Sequence, residues 1–398
     1  MAQSLARPAL ILGLLSCIGP FAIDMYLPAM PVIGADLGTT PQGMQSTITA
    51  YFAAFGIAQM VYGPWSDQAG RKVPLYAGIA LFVVGTVLCM TAATANGLIA
   101  GRVVQGLGAA ALGVVPRAIV RDMLTGSEAT RMMAAIMLVF SVSPMLSPLA
   151  GSALMLVTGW RGIFGALLVA SVLSLAMLAF AQRETLAPDN RRPFNLGTLL
   201  RGCGELMWDR SFLLWTFIGA FGFGSFFIFL ASASYVYQQG FGLTSTQFSL
   251  AFAVNAMSFI GASQLASRAS TRFGVMPMLK WSSVAFAAAA CATLVLALAG
   301  YGNLWVCMAG LAVSNACLGL IIPSTMVLAL DEQGEKAGLA SSLGGTLQML
   351  TGGVMVVVLG PWLGADAKPM VAGIAGAALV TMILTLMVAQ GQAARTAA

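Results

Sequence analysis

The chain has 398 residues, 59% hydrophobic and only 8% charged, whereas a soluble domain carries about a quarter charged residues, so a water-soluble surface is excluded. Its formal charge of +6 comes from 19 basic residues scattered among short segments. They form no basic stripe with interleaved aromatics, which excludes a nucleic-acid partner. Histidine is absent, which removes His-ligated metals and Ser-His or Cys-His nucleophile pairs, so no metal, no cofactor and no enzyme activity is expected.

Apolar blocks of 18 or more residues with few charges are long enough to cross a bilayer as helices. Cutting at charges, prolines and Gly/Asn knots gives six spans in the first half: 8–30, 44–64, 74–93, 98–120, 133–157 and 161–181. A polar stretch, residues 182–210, follows with nine of the 32 charged residues. Six more spans close the chain: 211–238, 246–267, 277–298, 303–329, 337–362 and 370–390. The expected fold is therefore an all-α polytopic membrane protein of twelve transmembrane helices. Two six-helix pseudo-repeat bundles, 1–181 and 211–398, are joined by a cytoplasmic linker, 182–210. A weak echo of Gly63–Lys72 in Ser267–Gly274, each between the second and third helix of its half, supports duplication.

With both termini inside, sixteen cations fall on the cytoplasmic side: Arg7, Arg71, Lys72, Arg117, Arg121, Arg131, Arg183, Arg191, Arg192, Arg201, Arg210, Arg268, Arg272, Lys280, Lys336 and Arg395. Only Arg102, Arg161 and Lys368 fall outside. That bias selects this orientation by the positive-inside rule.

In the first span Asp24 is the one acidic residue well inside an apolar block. A carboxylate at the centre of a lipid-spanning helix costs about 2.5–3.5 kcal/mol, so it faces a cavity or a partner. Desolvation favours its neutral form and a nearby cation its charged form, the opposition an exchanger needs. Arg102 in the fourth span is the complementary oddity, with Gln105 and Gly106 beside it. Counted from the span ends at about 1.5 Å per residue, Asp24 and Arg102 lie at matching depths, roughly 10 and 6 Å below one surface. They are expected to be the proton-coupling pair. Gly106–Ala111 imitates a dinucleotide fingerprint, but no strand precedes it and it lies in a span, so a nucleotide site is rejected.

The seventh span holds Phe217, Phe221, Phe223, Phe226, Phe227 and Phe229, and Asn255, Asn315 and Gln348 place single amides in later spans. Apolar walls with a few polar groups suit a small-molecule pocket, and 24 methionines add an adaptable lining. The expected substrate-binding set is Asp24, Tyr26, Tyr51, Gln105, Phe229, Asn255 and Asn315. Prolines within spans, Pro20, Pro116, Pro144, Pro148 and Pro323, free carbonyls and kink helices. The six cysteines show no C-x-x-C spacing and read as packing residues.

Gly63-Pro64-Trp65-Ser66-Asp67-Gln68-Ala69-Gly70-Arg71-Lys72 resembles the G-x-x-x-D-R-x-G-R-K loop of the major facilitator superfamily, with Gln68 in place of the family's first arginine. Arg102-Val103-Val104-Gln105-Gly106 is similar to that family's R-x-x-Q-G element. Further pieces resemble the bicyclomycin and chloramphenicol resistance (Bcr/CflA-type) subfamily of drug:proton antiporters: Asp24–Pro28, Val120-Arg121-Asp122, Gly159-Trp160-Arg161 and Glu184-Thr185-Leu186. Ser143–Gly151 is similar to the antiporter-type Pro/Gly motif, carried by Pro144, Pro148 and Gly151, with its leading glycine-proline altered.

The resemblance implies the major facilitator fold and proton-coupled efflux of small, largely apolar drugs across a bacterial inner membrane. It also implies a conformational latch of Asp67, Gly70, Arg71 and Arg121. The expected partners are drug molecules, protons and membrane lipid, and the expected state is a monomer. The alternative is a proton-coupled exporter of a metabolite such as an amino acid. A channel would present rings of charge or a repeated filter, and a single Asp-Arg pair is neither.

Overall fold

The computed structural model describes residues 6–124, 126–191, 193 and 195–397. Of the cations that set the expected topology, Arg192 and the side chains of Arg7 and Arg395 lie outside what is described. The described residues are helical with short connections, in two compact units, Met1–Leu196 and Gly197–Ala398.

The first span is broken. Helix α1 (Ala6–Asp24) stops before Pro28 and Pro31, a 3-10 turn covers Leu27–Ala29, and α2 (Met30–Asp36) resumes. Proline offers no N–H to the helical ladder and its ring crowds the preceding turn, so the ladder fails at this sequence. Then come α3 (Pro41–Ala69), α4 (Lys72–Met90), α5 (Ala95–Met123), α6 (Gly126–Thr158) and α7 (Arg161–Ala181). The stretch expected as linker contains a helix of its own, α8 (Leu196–Trp208). The second unit continues with α9 (Arg210–Tyr235), α10 (Ser245–Phe273), α11 (Val275–Leu296), α12 (Leu304–Asp331), α13 (Ala337–Leu359) and α14 (Ala367–Ala397).

Among the described residues ten stretches are long and apolar enough to span a membrane, α1 and α2 counting as one. The other two of the twelve expected spans are α3 and α6. At 29 residues α3 is long enough, but Gln45, Ser46, Thr47, Thr49 and Gln59 dilute its hydropathy. In α6 the described apolar part is Val142–Thr158.

Both units are built to one plan. In the first, α5 packs on α3 and α4, α1 on α5, α6 and α7, and α4 on α7. In the second, α12 packs on α10 and α11, α9 on α12, α13 and α14, and α11 on α14. The caps repeat as well: Thr40 and Thr244 close the N-termini of α3 and α10 with side-chain bonds. Gly70 and Gly274 take φ of +88° and +84° at the α3–α4 and α10–α11 corners, a conformation only glycine adopts cheaply. The echo of Gly63–Lys72 in Ser267–Gly274 is thus an echo of structure.

Glycine also sets how closely α5 approaches its neighbours. A Cβ at Gly106 would collide with the Tyr51 carbonyl, and one at Gly108 with the backbone of Gly78 and Phe82. The glycines that imitate a dinucleotide fingerprint are therefore contact points between helices.

Candidate functional site

The break after α1 creates the polar centre of the first unit. The Tyr26 amide turns to the Ile23 carbonyl at 3.1 Å, bypassing Ala22, whose carbonyl is one of those a helix end leaves unpaired. Arg102, reaching across from α5, donates from Nη1 to that carbonyl at 2.9 Å and to Gln105 Oε1 at 2.7 Å. Gln105 Nε2 in turn donates to Thr86 Oγ1 at 2.9 Å, and Thr86 donates to the Phe82 carbonyl at 2.7 Å. The guanidinium lies over the rings of both Tyr26 and Tyr51, 4.6 Å from each centroid. Such cation–π contacts are worth about 2 kcal/mol when desolvated. Arg102 is 0% exposed, and among the described residues its Nε and Nη2 have no hydrogen-bond partner.

Both tyrosines are tied down. Thr47 gives its proton to the Met44 carbonyl at 2.6 Å, so the 2.7 Å contact between Tyr26 and Thr47 has Tyr26 as donor. Tyr51 donates to the Gly19 carbonyl at 3.2 Å. Tyr26, Tyr51, Gln105 and Arg102 thus form one buried cluster.

Asp24 is 7% exposed and points elsewhere. Its carboxyl shares a side-chain hydrogen bond with Ser147 of α6, and among the described residues no ion pair joins it to Arg102. The two residues expected to couple protons therefore hold different partners in this structure. The Ala22 carbonyl, freed at the helix end, points along the axis to Arg102, while the Asp24 side chain leaves the same turn sideways toward Ser147 of α6. Gly151, one turn beyond Ser147, lets α6 close on α1: a Cβ there would lie within 3.0 Å of Met25 Cα. Pro144 and Pro148 lie in the same stretch of helix. The Pro/Gly motif and Asp24 therefore meet, which no spacing argument linked.

Ser147 also donates to the Ser143 carbonyl.

A second constellation lies at the α3–α4 corner. Arg71 forks onto Asp122 of α5, with Nε to Oδ2 at 2.7 Å and Nη2 to Oδ1 at 3.1 Å. Its Nη1 donates to Ser66 Oγ at 2.8 Å and to Asp67. Glu184 accepts from the amides of Arg71 at 2.9 Å and Lys72 at 3.1 Å, and from those of Thr185 and Leu186. Burial pushes the Glu184 carboxyl up, but these four N–H donors outweigh it and hold it below the ordinary value of 4.5. Thr185 Oγ1 adds a bond to Asp122. Asp67, Gly70 and Arg71 are brought together as expected, whereas Arg121 is exposed and its neighbour Asp122 takes the contact. Asp122 and Glu184 were visible in the sequence only as pieces of a resemblance.

In the second unit Asn315 Nδ2 donates to Asn255 Oδ1 at 3.3 Å, and Asn255 Nδ2 to the Ala251 carbonyl at 3.1 Å. Phe229 stacks on Phe252 with centroids 5.6 Å apart and planes 11° from parallel. All three expected residues of this half are buried. Elsewhere in this unit a 460 Å³ apolar groove, lined by Phe221, Met355, Trp362, Gly373 and Gly376 among others, includes none of them.

The model of the Major Facilitator Superfamily matches residues 12–356. The chain is 33% identical to an uncharacterized MFS-type transporter of Bacillus subtilis, YdgK, over 88% of each chain. It is 29% identical to the bicyclomycin resistance protein homolog of Haemophilus influenzae over 94% of each. With multidrug resistance protein D of Escherichia coli it shares 28% identity over 87% of this chain and 86% of that one. A D-xylose–proton symporter has the same fold, with a TM-score of 0.77 at 13% identity over 96% of this chain and 97% of that one. With its two similarly packed helical units and a family match over most of its length, the chain belongs to the major facilitator superfamily of membrane transporters.

Proposed function

We propose that this transporter exports small, largely apolar drugs across the bacterial inner membrane in exchange for protons, with both termini cytoplasmic. The names of its relatives support the substrate class, and the sorting of the basic residues supports the orientation.

In this reading Asp24 carries the proton. The observation behind this is its seat: a carboxyl 7% exposed inside the first unit, hydrogen-bonded to Ser147 of α6 beside the Pro/Gly stretch. Protonation empties the interior of a negative charge and suits an apolar occupant, while proton loss opposes it. Proton and drug then exclude one another by linkage. Each pH unit of gradient supplies about 1.4 kcal/mol per proton. Arg102 acts through the helix break. By holding the Ala22 carbonyl it fixes the last turn of α1, and with it the direction of the Asp24 side chain.

Tyr26, Tyr51 and Gln105 in the first unit, and Phe229, Asn255 and Asn315 in the second, are the proposed substrate contacts. The Arg71 cluster, with Asp67, Gly70 and Arg121 beside it, is the proposed conformational latch.

The test is drug movement in proteoliposomes under an imposed pH gradient. Asp24→Asn binds a neutral drug but no longer exports it uphill, and substrate added to the wild type releases protons. Uphill export by Asp24→Asn at the wild-type rate overturns the assignment. A panel of antibiotics and metabolites in the same assay separates drug export from metabolite export.

A further inference from the structure

Among the described residues, helix α8 meets the second unit along one arc. Leu206 is buried, Gly202 packs against Leu339, Glu205 pairs with Lys336, and Asp209 just beyond its end accepts from Gln333 at 2.8 Å. Those contacts fix its rotation. The opposite arc carries Leu196, Leu200 (62% exposed), Met207 and Trp208 (90% exposed). Positions 196, 200 and 207 fall on one side at 3.6 residues per turn, and Trp208 borders them.

Connectivity locates this arc. Trp208 is two residues from Arg210, where the membrane-spanning stretch Arg210–Gly240 begins. Two residues reach about 7 Å at most, so the C-terminal end of α8 cannot leave the membrane surface. An indole there, apolar in body with one N–H, suits the headgroup region.

The charges left over are positive. Both carboxylates of this segment are engaged, Glu205 by Lys336 and Asp209 by Gln333 and the first amides of α9. Both lie below their ordinary values, the Lys336 bond first for Glu205 with a smaller pull from the Arg201 charge, and the Gln333 bond first for Asp209. Arg201 and Arg210 are exposed and enter none of the ion pairs among the described residues. Strict alternation of the spans brings Arg268, Arg272 and Lys280 to the same membrane face, against Asp331 and Glu332.

From this geometry we propose that α8 is a membrane-surface helix. Its outer arc sinks into the headgroup boundary of the adjoining leaflet, and Arg201 and Arg210 engage the phosphates of anionic phospholipid. Amphipathic helices with a basic border bind such interfaces through buried apolar area plus electrostatic attraction. The helix then ties the start of α9 to the lipid surface.

The full chain, carrying a nitroxide on Leu200→Cys in a Cys203→Ser background, is reconstituted into phosphatidylcholine vesicles with and without phosphatidylglycerol. Collisions with oxygen, which concentrates in lipid, are compared with those of a water-soluble nickel chelate. The expected result is oxygen exceeding chelate in both vesicles and a further shift toward oxygen with phosphatidylglycerol. That shift is lost in Arg201→Gln/Arg210→Gln. Leu196→Cys provides a second site if the first variant fails to fold. A label more open to the chelate than to oxygen in both vesicles overturns the proposal. So does a label shielded from both reagents with the chain dimeric, since a second copy would then cover the arc.

Discussion

Replacing Gln105 by leucine tests whether Arg102 is an unbalanced buried charge. The guanidinium has two acceptors, the Ala22 carbonyl and Gln105 Oε1, and two nitrogens without partners. Leaving a buried group short of a hydrogen bond costs about 1–3 kcal/mol, and more when the group is charged, so about 3 kcal/mol is expected here. For a unit of this size each kcal/mol lowers the melting temperature by about 2–4 °C, so Gln105→Leu should melt on the order of 10 °C below wild type. In Arg102→Met/Gln105→Leu the charge is gone. What remains is chiefly one orphaned carbonyl, worth about 1–3 kcal/mol, while the thioether keeps contact with the two tyrosine rings. The double variant should therefore lie only about 5 °C below wild type, above its own single-mutant parent. Thermal unfolding in detergent, followed by intrinsic fluorescence, reads both. A double variant melting at or below Gln105→Leu would show that Arg102 is not short of partners, and the account of the α1 break would fail.

Three further outcomes follow from the geometry. Asp122→Asn should slow exchange in proteoliposomes more than Asp67→Asn does, because Asp122 takes a two-point fork from a buried arginine, while Asp67 is 49% exposed and worth about 0–1 kcal/mol; the reverse order refutes the weighting. Gly151→Ala should cost about 1–3 kcal/mol and impair coupling, since its methyl meets the Met25 backbone; an unchanged melting temperature with normal coupling contradicts the close approach of α1 and α6. Glu184 is held below its ordinary value, so its clamp is present in full above 4.5 and lost as pH falls through the lower folded-state value. Hydrogen exchange at the Arg71 and Lys72 amides, corrected for the intrinsic pH dependence, should lose protection only below 4.5, and loss above it refutes the clamp.

Span positions were legible because hydropathy at this length has few other meanings, and the corner glycines because no other residue takes a φ near +88° cheaply. The sequence also singled out Asp24 and Arg102, since charge in an apolar block is conspicuous. Their partners were hidden for one reason: each is an ordinary residue, Ser147 or a main-chain carbonyl at Ala22, that becomes a ligand only through the helix break at Pro28 and the close packing at Gly151. A periodicity argument sees side chains and their spacing. It cannot see which backbone carbonyl a proline will release.

That limit explains why Asp24 and Arg102, matched in depth, hold different partners. Matching depths for Asp24 and Arg102 are a statement about one coordinate, whereas an ion pair also requires that both side chains leave their helices toward each other. At 100° per residue, side chains at equal depth can miss one another by half a turn. Here the arginine meets an axial backbone carbonyl of α1, and the carboxylate leaves the same turn toward α6. Arg102 holds the last turn of α1, from which Asp24 leaves, through the Ala22 carbonyl, so coupling would respond to substitutions that stiffen or free that turn as much as to changes in either charge.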